Sequence, residues 1–540
     1  MSLLKLYKKE STASAKPIMI MAMISGVANS VLLAVMNAAI STASSETLNF
    51  RYLMLFLISM ALFIIGKRYA LKQTTIIVEQ MINRVRIRIS NKIRNSELLF
   101  LENIGTAEIQ TRITNDTNLI TQSACILISA CESSIMLVFC LIYIAIISKV
   151  AFLITVISVF LAVSNYIARR KDVEAELRIT VQKESHFFEL LSSLLKGFKE
   201  IKINQKKSDD YFNDVKRTAD ETEAIKIRTG LRFVTGIMFS EVFFYSLLAA
   251  IIFILPRLGL DFSDLLVRIV TAILFIMSPL EMIVSSIPLF LKSSMAVENI
   301  YALEDKIDKA SKSVRHKDGI KRTFNEIVFN ELVFYYADKE GAPLFIVGPI
   351  NLTIKQGEVI FIIGGNGSGK STFLKLLTAL YYPLSGAIYL DGAPLNQATY
   401  QSYRELYSII FTEFHIFDRL YGIDVVDKEK VKSLLKMMEI DHKTSYDDDQ
   451  FSNIHLSTGQ RKRLALIIAL MDDKPIYVFD EWAADQDPNF RKFFYENILE
   501  EMKRQGKTII AASHDDKYFH VADRILKMEY GKIISETIPE

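Results

Sequence analysis

The sequence is poor in cysteine, tryptophan and proline, and it has almost no excess of charge of either sign. Its 540 residues include 3 cysteines, 1 tryptophan and 11 prolines, and 64 basic side chains are balanced by 61 acidic ones. Cys125, Cys131 and Cys140 all lie inside one apolar stretch, where they are typical of small packing residues. The composition therefore excludes a disulfide scaffold, a collagen-like repeat and nucleic-acid binding driven by overall positive charge.

Apolar residues are abundant, but they are unevenly distributed along the chain. They make up 50% of the residues while 23% are charged, and the mean hydropathy is +0.24. This average indicates two unlike parts, because membrane helices alone do not carry so much charge. Six apolar runs of membrane-spanning length occur before about residue 292 and none occurs after it: about 17–39, 50–67, 120–147, 150–168, 232–255 and 264–291.

Lysine and arginine indicate which connections between the apolar runs face the cytoplasm. The connections 67–118 and 169–231 are rich in both residue types, whereas the other three are short and have about one each. The apolar spacing within the two basic connections predicts helices that continue beyond the membrane. Their polar tips, 103–118 and 206–222, are either docking surfaces for the second part of the chain or solvated helical hairpins.

Three glutamates lie within the apolar runs, at Glu132, Glu241 and Glu281. A charge at membrane depth costs several kcal/mol unless it faces protein or water. The three carboxylates therefore predict a polar cavity for a solute. An interhelical Arg–Glu pair, or a helix end that reaches the membrane surface, is the alternative.

A polar connector at 304–325 divides the predicted membrane domain, 1–303, from an α/β domain at 326–540. In the second domain a short apolar strand, 359–363, runs directly into a glycine-rich loop and a helix. This context is typical of a phosphate-binding loop, in which Lys370 supplies positive charge and the Ser371 hydroxyl ligates Mg²⁺. The residues predicted to contact ATP here are Gly364, Gly365, Asn366, Gly367, Ser368, Gly369, Lys370, Ser371 and Thr372.

A second buried strand, 476–481, has two carboxylates at its C-terminal end. Asp480 is placed to hold Mg²⁺, and Glu481 is the natural general base for a water that attacks the γ-phosphate. The alternative is that the two acids lie in a solvated turn, but the phosphate loop upstream favours a role in ATP hydrolysis.

The segment Leu456–Gln460 resembles the signature motif of ATP-binding cassette (ABC) proteins. The resemblance implies that Ser457, Thr458, Gly459 and Gln460 contact the ATP held by the phosphate loop of a second subunit. Thr458 stands where glycine is usual. The basic triplet 461–463 that follows is either solvated or interacts with the helix dipole, with a nucleic-acid patch as the weaker alternative.

Other family positions follow from the same resemblance. His514 matches the switch histidine, and Asp487 falls in the loop that reaches across the dimer. Tyr336 matches the aromatic residue that stacks on adenine, and its neighbour Tyr335 stays open. The glutamine that usually ligates Mg²⁺ is missing; Thr412 and Glu413 offer oxygen ligands at the aligned place.

Six spans followed by one cassette are similar to an ABC exporter half-transporter. The expected fold is a six-span α-helical transmembrane domain of type I or type IV followed by an α/β P-loop nucleotide-binding domain. The segments 347–355, 480–488 and 513–519 resemble those of the subfamily that exports cyclic peptides and siderophores, such as microcins and pyoverdine precursors.

The resemblance implies a homodimer in the bacterial inner membrane that uses ATP and Mg²⁺. Its expected partners are membrane lipid, a peptide-like cargo and an outer-membrane channel, with no nucleic acid. A lipid or glycolipid flippase and a non-transporting ATP-binding sensor are the alternatives.

Overall fold

The computed structural model describes residues 2–11, 14–42, 50–254, 263–310, 323–338 and 340–539. The chain divides into two compact units, one formed by Met1–Arg94 with Ile104–Asp308 and the other by Asn95–Asn103 with Lys309–Glu540. The first unit is helical, and its helices are α1 (Ser2–Glu10), α2 (Lys16–Thr42), α3 (Phe50–Arg94), α4 (Leu98–Ile104, shared with the second unit), α5 (Thr106–Thr111), α6 (Thr117–Ile147), α7 (Lys149–Lys196), α8 (Phe198–Ile203), α9 (Gln205–Ala249) and α10 (Ser263–Ala310).

Within the described residues, five helices are long and apolar enough to cross a membrane. The predicted fourth run lies at the start of α7, where Lys149–Leu161 is apolar. Helices α3 and α9 have 45 residues each, which is about 68 Å at 1.5 Å per residue, and a bilayer core is only about 30 Å thick. The predicted helical extensions beyond the apolar runs are therefore confirmed.

Close helix packing in this unit depends on small side chains. A Cβ at Gly66 would lie 3.0 Å from the Met21 carbonyl oxygen and 3.2 Å from Ser25. Glycine at this position therefore allows α3 to approach α2 at short distance, as small residues do in membrane helix pairs. A buried apolar cluster that includes Cys140, Phe244 and Ile273 joins α6, α9 and α10, so this cysteine is a packing residue as predicted.

The second unit contains strands and helices in alternation. Its elements are β1 (Glu326–Ala337), β2 (Pro343–Lys355), β3 (Val359–Ile363), α11 (Lys370–Leu377), β4 (Ser385–Leu390), β5 (Ala393–Pro394), α12 (Tyr400–Arg404), β6 (Tyr407–Ile410), α13 (Lys428–Met437), β7 (Tyr446–Asp447), β8 (Gln450–Phe451), α14 (Thr458–Asp472), β9 (Ile476–Asp480), α15 (Pro488–Phe493), α16 (Leu499–Arg504), β10 (Thr508–Ala512), β11 (Arg524–Glu529) and β12 (Lys532–Thr537).

The sheet order explains where a site forms in this unit. A six-stranded sheet has the order β12-β11-β3-β10-β9-β6, and β3 pairs in parallel with β10, which pairs in parallel with β9. Alternate residues of β3 enter two different buried clusters, as expected for a strand covered on both faces. Because the strands are parallel, the segments after β3, β9 and β10 emerge at the same edge.

The boundary between the two units differs in detail from the predicted linker at 304–325. Helix α10 continues to Ala310, so the first part of that segment is helical, and residues 311–322 lie outside the described residues. A second difference concerns the tip predicted at 103–118. The segment that packs with the second unit is 95–103, which precedes that tip and shares only Asn103 with it.

Candidate functional site

The loop between β3 and α11 adopts a conformation that requires glycine at its first position. Gly364 has φ +152°, and a Cβ there would lie 2.3 Å from the carbonyl oxygen of Met528. Gly369 has φ 100° and caps the N-terminus of α11. The loop therefore wraps closely around the helix N-terminus, where backbone N–H groups and the helix dipole favour a bound phosphate.

Lys370, the first residue of α11, is almost completely buried against this loop. Its ammonium group donates to the carbonyl oxygens of Gly364 and Gly365, at 2.9 and 3.3 Å. It also lies 3.1 Å from Nε2 of His514 and 3.4 Å from Oε1 of Glu481. The loops after β3, β9 and β10 thus meet at one lysine, as the parallel sheet order requires.

Glu481 follows β9 in the left-handed region, with φ 51° and ψ 37°. Such a conformation costs about 1–3 kcal/mol for a residue other than glycine and persists only where neighbours hold it. The Lys462 ammonium donates to the Glu481 carbonyl oxygen at 2.8 Å, and the Glu481 amide donates to the Ala512 carbonyl oxygen at 3.0 Å. The side chain is left to face the pocket, with Oε1 3.2 Å from His514 Nε2.

Asp480 ends β9 as a buried carboxylate. Its Oδ1 atom is buried and has no hydrogen-bond partner among the described residues. Thr412 approaches the same strand end, but its hydroxyl donates to the backbone carbonyl oxygen of Asp480 at 3.2 Å. Glu413 is exposed and is not among the residues that line the cavity beside the phosphate loop. Among the three residues Asp480, Thr412 and Glu413, which were predicted to ligate Mg²⁺ at the end of β9, Asp480 has a buried side-chain oxygen without a hydrogen-bond partner among the described residues.

A cavity of about 400 Å³ lies above the phosphate loop. Tyr336 lines it and Tyr335 does not, which agrees with the alternation of side chains along β1. Phe345 in β2 also lines the cavity, and the sequence offered no signal for it beyond its place in a strand. The described residues that line the cavity are Tyr336, Phe345, Asn366, Gly367, Ser368, Gly369, Lys370, Ser371, Thr372 and Glu481.

The signature segment forms the N-terminus of α14, away from this cavity. Ser457 and Thr458 are exposed, and the Ser457 amide donates to the Gln460 side-chain oxygen at 3.3 Å. Gly459 is tightly packed, since a Cβ there would lie 2.8 Å from the Asp485 carbonyl oxygen. None of the residues at 456–460 is among those that line the described nucleotide cavity of the same chain.

Lys462 and Arg463 of the basic triplet after the signature are not solvated, which contradicts one of the two interpretations of this segment. Lys462 is 2% exposed and pairs with Asp485 at 2.7 Å. The Arg463 guanidinium is stacked 3.6 Å from the centre of the Phe490 ring. These side chains connect α14 to the loop after β9. The spacing of residues along α14 does not predict that charged groups are buried so close to Glu481.

Asp487 caps α15 by accepting hydrogen bonds from the amides of Asn489 and Phe490, at 3.1 and 3.0 Å. Arg463 adds a contact of 2.7 Å to its second oxygen. The backbone hydrogen bond from Phe490 is the main reason why the pKa of the Asp487 carboxyl is lowered. Within one chain, this residue therefore orders the loop that the family resemblance assigns to the dimer interface.

The three acidic residues of the apolar helices have different surroundings. Glu132 is buried, accepts a hydrogen bond from the Ser25 hydroxyl at 2.6 Å and lies 3.7 Å from the Lys67 ammonium. This is an interhelical pair of the kind considered as the alternative, with lysine as the base. Glu241 and Glu281 instead share a small, otherwise apolar pocket between α9 and α10.

Comparison with known proteins gives one family and several long relatives. The family described as ABC transporter matches residues 347–484. ATP-binding protein SyrD of Pseudomonas syringae pv. syringae is 31% identical over 473 residues, 85% of this chain and 83% of that protein. The ATP-dependent lipid A-core flippase of Wigglesworthia glossinidia brevipalpis is 24% identical over 481 residues, 84% of this chain and 80% of that protein.

A solved structure supports the fold along nearly the whole chain. The structure of a bacterial Atm1-family ABC exporter with ATP bound superimposes with a TM-score of 0.78 and 16% sequence identity. The match covers 97% of this chain and 94% of that one. The expected architecture of apolar helices followed by a nucleotide-binding domain is thereby confirmed.

The sheet edge described above, with a phosphate loop, an Asp-Glu strand end and a histidine around one lysine, defines an ATP-binding cassette attached to membrane helices. The chain belongs to the ABC transporter family, and it is an exporter half-transporter with an ATP-hydrolysing domain. It is a multi-pass membrane protein whose ATPase domain is cytoplasmic.

Proposed function

We propose that two copies of this chain form an exporter that moves a peptide-like or siderophore-like molecule out of the cytoplasm. The molecule crosses the bacterial inner membrane by alternating access, driven by ATP hydrolysis. ATP binding closes the two cassettes on each other, and hydrolysis resets them.

The dimer is supported by the incomplete nucleotide site. The cavity of one chain is lined by the phosphate loop, two aromatic residues and Glu481, whereas the signature residues lie elsewhere with Ser457 and Thr458 exposed. The exposed N-terminus of a helix, where the helix dipole favours negative charge, is suited to bind the γ-phosphate held by a partner. A second copy supplies that helix, so ATP joins the two cassettes.

The residues around Lys370 have separate roles in this proposal. Lys370 and the loop amides bind the phosphates, Glu481 accepts a proton from the attacking water, and His514 contacts the γ-phosphate. The buried, unpartnered Oδ1 of Asp480 and the Ser371 hydroxyl are oxygen donors of the kind that Mg²⁺ prefers. When bound, Mg²⁺ neutralises charge on the β- and γ-phosphates.

The transport proposal is tested with purified protein in proteoliposomes in which the cassettes face outward. Wild-type protein is expected to accumulate a labelled cyclic peptide in the lumen when ATP and Mg²⁺ are added. The Glu481→Gln protein serves as the matched control, because it is expected to bind ATP without turnover. Equal uptake by the two proteins, or uptake without ATP, would contradict the proposal.

A lipid or glycolipid flippase is the second candidate, and the flippase relative that spans most of the chain supports it. The two cargo classes are compared in the same vesicles by measuring ATP hydrolysis with added cyclic peptide and with added lipopolysaccharide core lipid. Stimulation by the peptide alone supports the export proposal, and stimulation by the lipid alone supports a flippase. A wild-type protein that hydrolyses ATP but moves neither probe would favour the sensor alternative.

A further inference from the structure

The segment 95–103 lies between α3 and α5 in sequence but packs with the cassette unit. Leu98 and Leu99 contact the cassette's buried apolar cluster that contains Phe334, Phe373 and Tyr381. The segment is thus held to the same group of side chains that supports the wall of the nucleotide cavity.

Glu102 makes the polar contacts of this segment. Its carboxylate accepts a hydrogen bond from the Tyr381 hydroxyl and, at 2.8 Å, another from the Lys375 ammonium. Lys375 also donates to the Tyr381 hydroxyl oxygen at 3.2 Å and lies 5.0 Å from the centre of its ring. Two side chains of the cassette therefore converge on one carboxylate.

Tyr381 continues the connection to the nucleotide cavity. The Tyr336 hydroxyl donates to the Tyr381 hydroxyl at 3.4 Å, and the Tyr381 hydroxyl donates to Glu102. Each phenol has a single proton, so the two donations run in one direction and end at the carboxylate. Tyr336 lines the cavity, where its ring is available to a nucleobase.

Tyr381, the middle residue of the hydrogen-bonded series from Tyr336 to Glu102, is buried and packed against other rings. Tyr381 is 2% exposed, and its ring stacks on Phe334 with 4.9 Å between the ring centres. Tyr336 meets the same ring edge-on at 6.0 Å. Burial, with the hydrogen bond to Glu102, raises the pKa of Tyr381 above the ordinary tyrosine value, so it stays a donor. A change in the position of Tyr336 therefore has a direct route to Glu102.

We propose that Glu102 and Tyr381 are positioning residues that couple the binding of a nucleobase at Tyr336 to the seating of segment 95–103 on the cassette. The inference rests on the proposed function and on the adenine contact that the family resemblance implies for Tyr336. The base, and not only the phosphates, then influences the connection that leads from α3 to α5. Because the coupling is reciprocal, a change in Glu102 alters ATP affinity although Glu102 is not among the residues that line the cavity.

The test is calorimetric titration of the full chain in lipid nanodiscs, in the Glu481→Gln background so that ATP is not consumed. Glu102→Ala and Tyr381→Phe are each expected to weaken ATP binding about fivefold, and the double variant no further. Tyr382→Phe, the same change in the next residue, is the matched control and should bind ATP as the parent does. Glu102→Gln retains an acceptor for Tyr381 and is expected to restore affinity to within about twofold.

Glu102 also contacts Lys375, which lies in the helix that follows the phosphate loop, so its effect could reach ATP through the phosphates. Inorganic tripolyphosphate, which has no base, distinguishes that route from the route through Tyr336. Its affinity is expected to be the same in the parent, Glu102→Ala and Tyr381→Phe proteins. Parental ATP affinity in both variants, or an equal loss for ATP and tripolyphosphate, would overturn the inference. Failure of the proposed export function would instead appear as ATP-independent peptide uptake, which this binding test does not measure.

Discussion

Glu481 in the cassette and Glu132 in the membrane helices are both carboxylates close to a lysine ammonium. The distances are similar, 3.4 Å to Lys370 and 3.7 Å to Lys67. Their exposures differ. The Glu481 side chain is 30% exposed and faces a cavity, whereas the Glu132 side chain is 9% exposed and lies between helices. An acid that ends a strand at an open edge remains available for chemistry, whereas an acid enclosed by packed helices becomes part of the packing.

The largest expected effect is the loss of ATP hydrolysis when Glu481 is replaced, which we do not expect for Glu132. Glu481→Gln is expected to lower ATP hydrolysis more than about 100-fold while ATP still binds, because a general base contributes about 10²–10⁴-fold. Steady-state hydrolysis and ATP titration measure the two effects. Glu405→Gln, an exposed acid of the cassette, is the control, and hydrolysis by Glu481→Gln at the rate of that control would exclude the assigned role.

Lys462 supports Glu481 from within the fold, because its ammonium donates to the Glu481 carbonyl oxygen. Lys462→Met leaves the Glu481 carbonyl oxygen without its donor, which costs about 1–3 kcal/mol for a buried group. We expect lower thermal stability and slower hydrolysis with little change in the KM for ATP. Lys432→Met removes an exposed lysine from α13 and should change stability by less than about 0.5 kcal/mol. Equal behaviour of the two variants would mean that Lys462 does not hold Glu481 in place.

Glu132 is expected to affect stability rather than chemistry. Glu132→Ala removes the short hydrogen bond from the Ser25 hydroxyl, whose other acceptor is the Phe63 carbonyl oxygen at 3.4 Å, and the contact with Lys67. It is expected to lower the free energy of unfolding by about 1–3 kcal/mol. Glu132→Gln keeps an acceptor and should lose less. Glu281→Ala is the control, since Glu281 is exposed, and thermal unfolding in detergent measures all three. Unchanged stability of Glu132→Ala with loss of peptide uptake would instead place this acid in the cargo path.

The smallest effect is expected at Thr412, where the family's usual glutamine is missing. Thr412→Ala removes the hydrogen bond to the Asp480 carbonyl oxygen, worth about 1 kcal/mol, and should change the Mg²⁺ dependence of hydrolysis by no more than about fivefold. Thr412→Ser retains the hydroxyl and should behave like the wild-type protein. A complete loss of activity in Thr412→Ala would show that the hydroxyl does more than support the strand end.

Much of the cassette could be predicted from sequence because its chemistry lies in short segments that end strands. The phosphate loop, Asp480 with Glu481, and His514 each follow an apolar strand, and parallel strands bring such ends to one edge. Phe345 and Lys462 were not identified in this way. Phe345 lies in an ordinary strand, and the burial of Lys462 depends on a partner, Asp485, supplied by another loop.

The sequence by itself determined the division into apolar helices and a charged cassette, because hydropathy and local motifs are properties of contiguous residues. It also determined the helices that continue beyond the membrane, since their periodicity is local. Only the tertiary structure decided that Glu132 pairs with Lys67 and that Glu102 reaches Tyr381, 279 positions away. Contacts between distant residues are set by how whole elements pack, and the spacing of residues along one element does not contain that information.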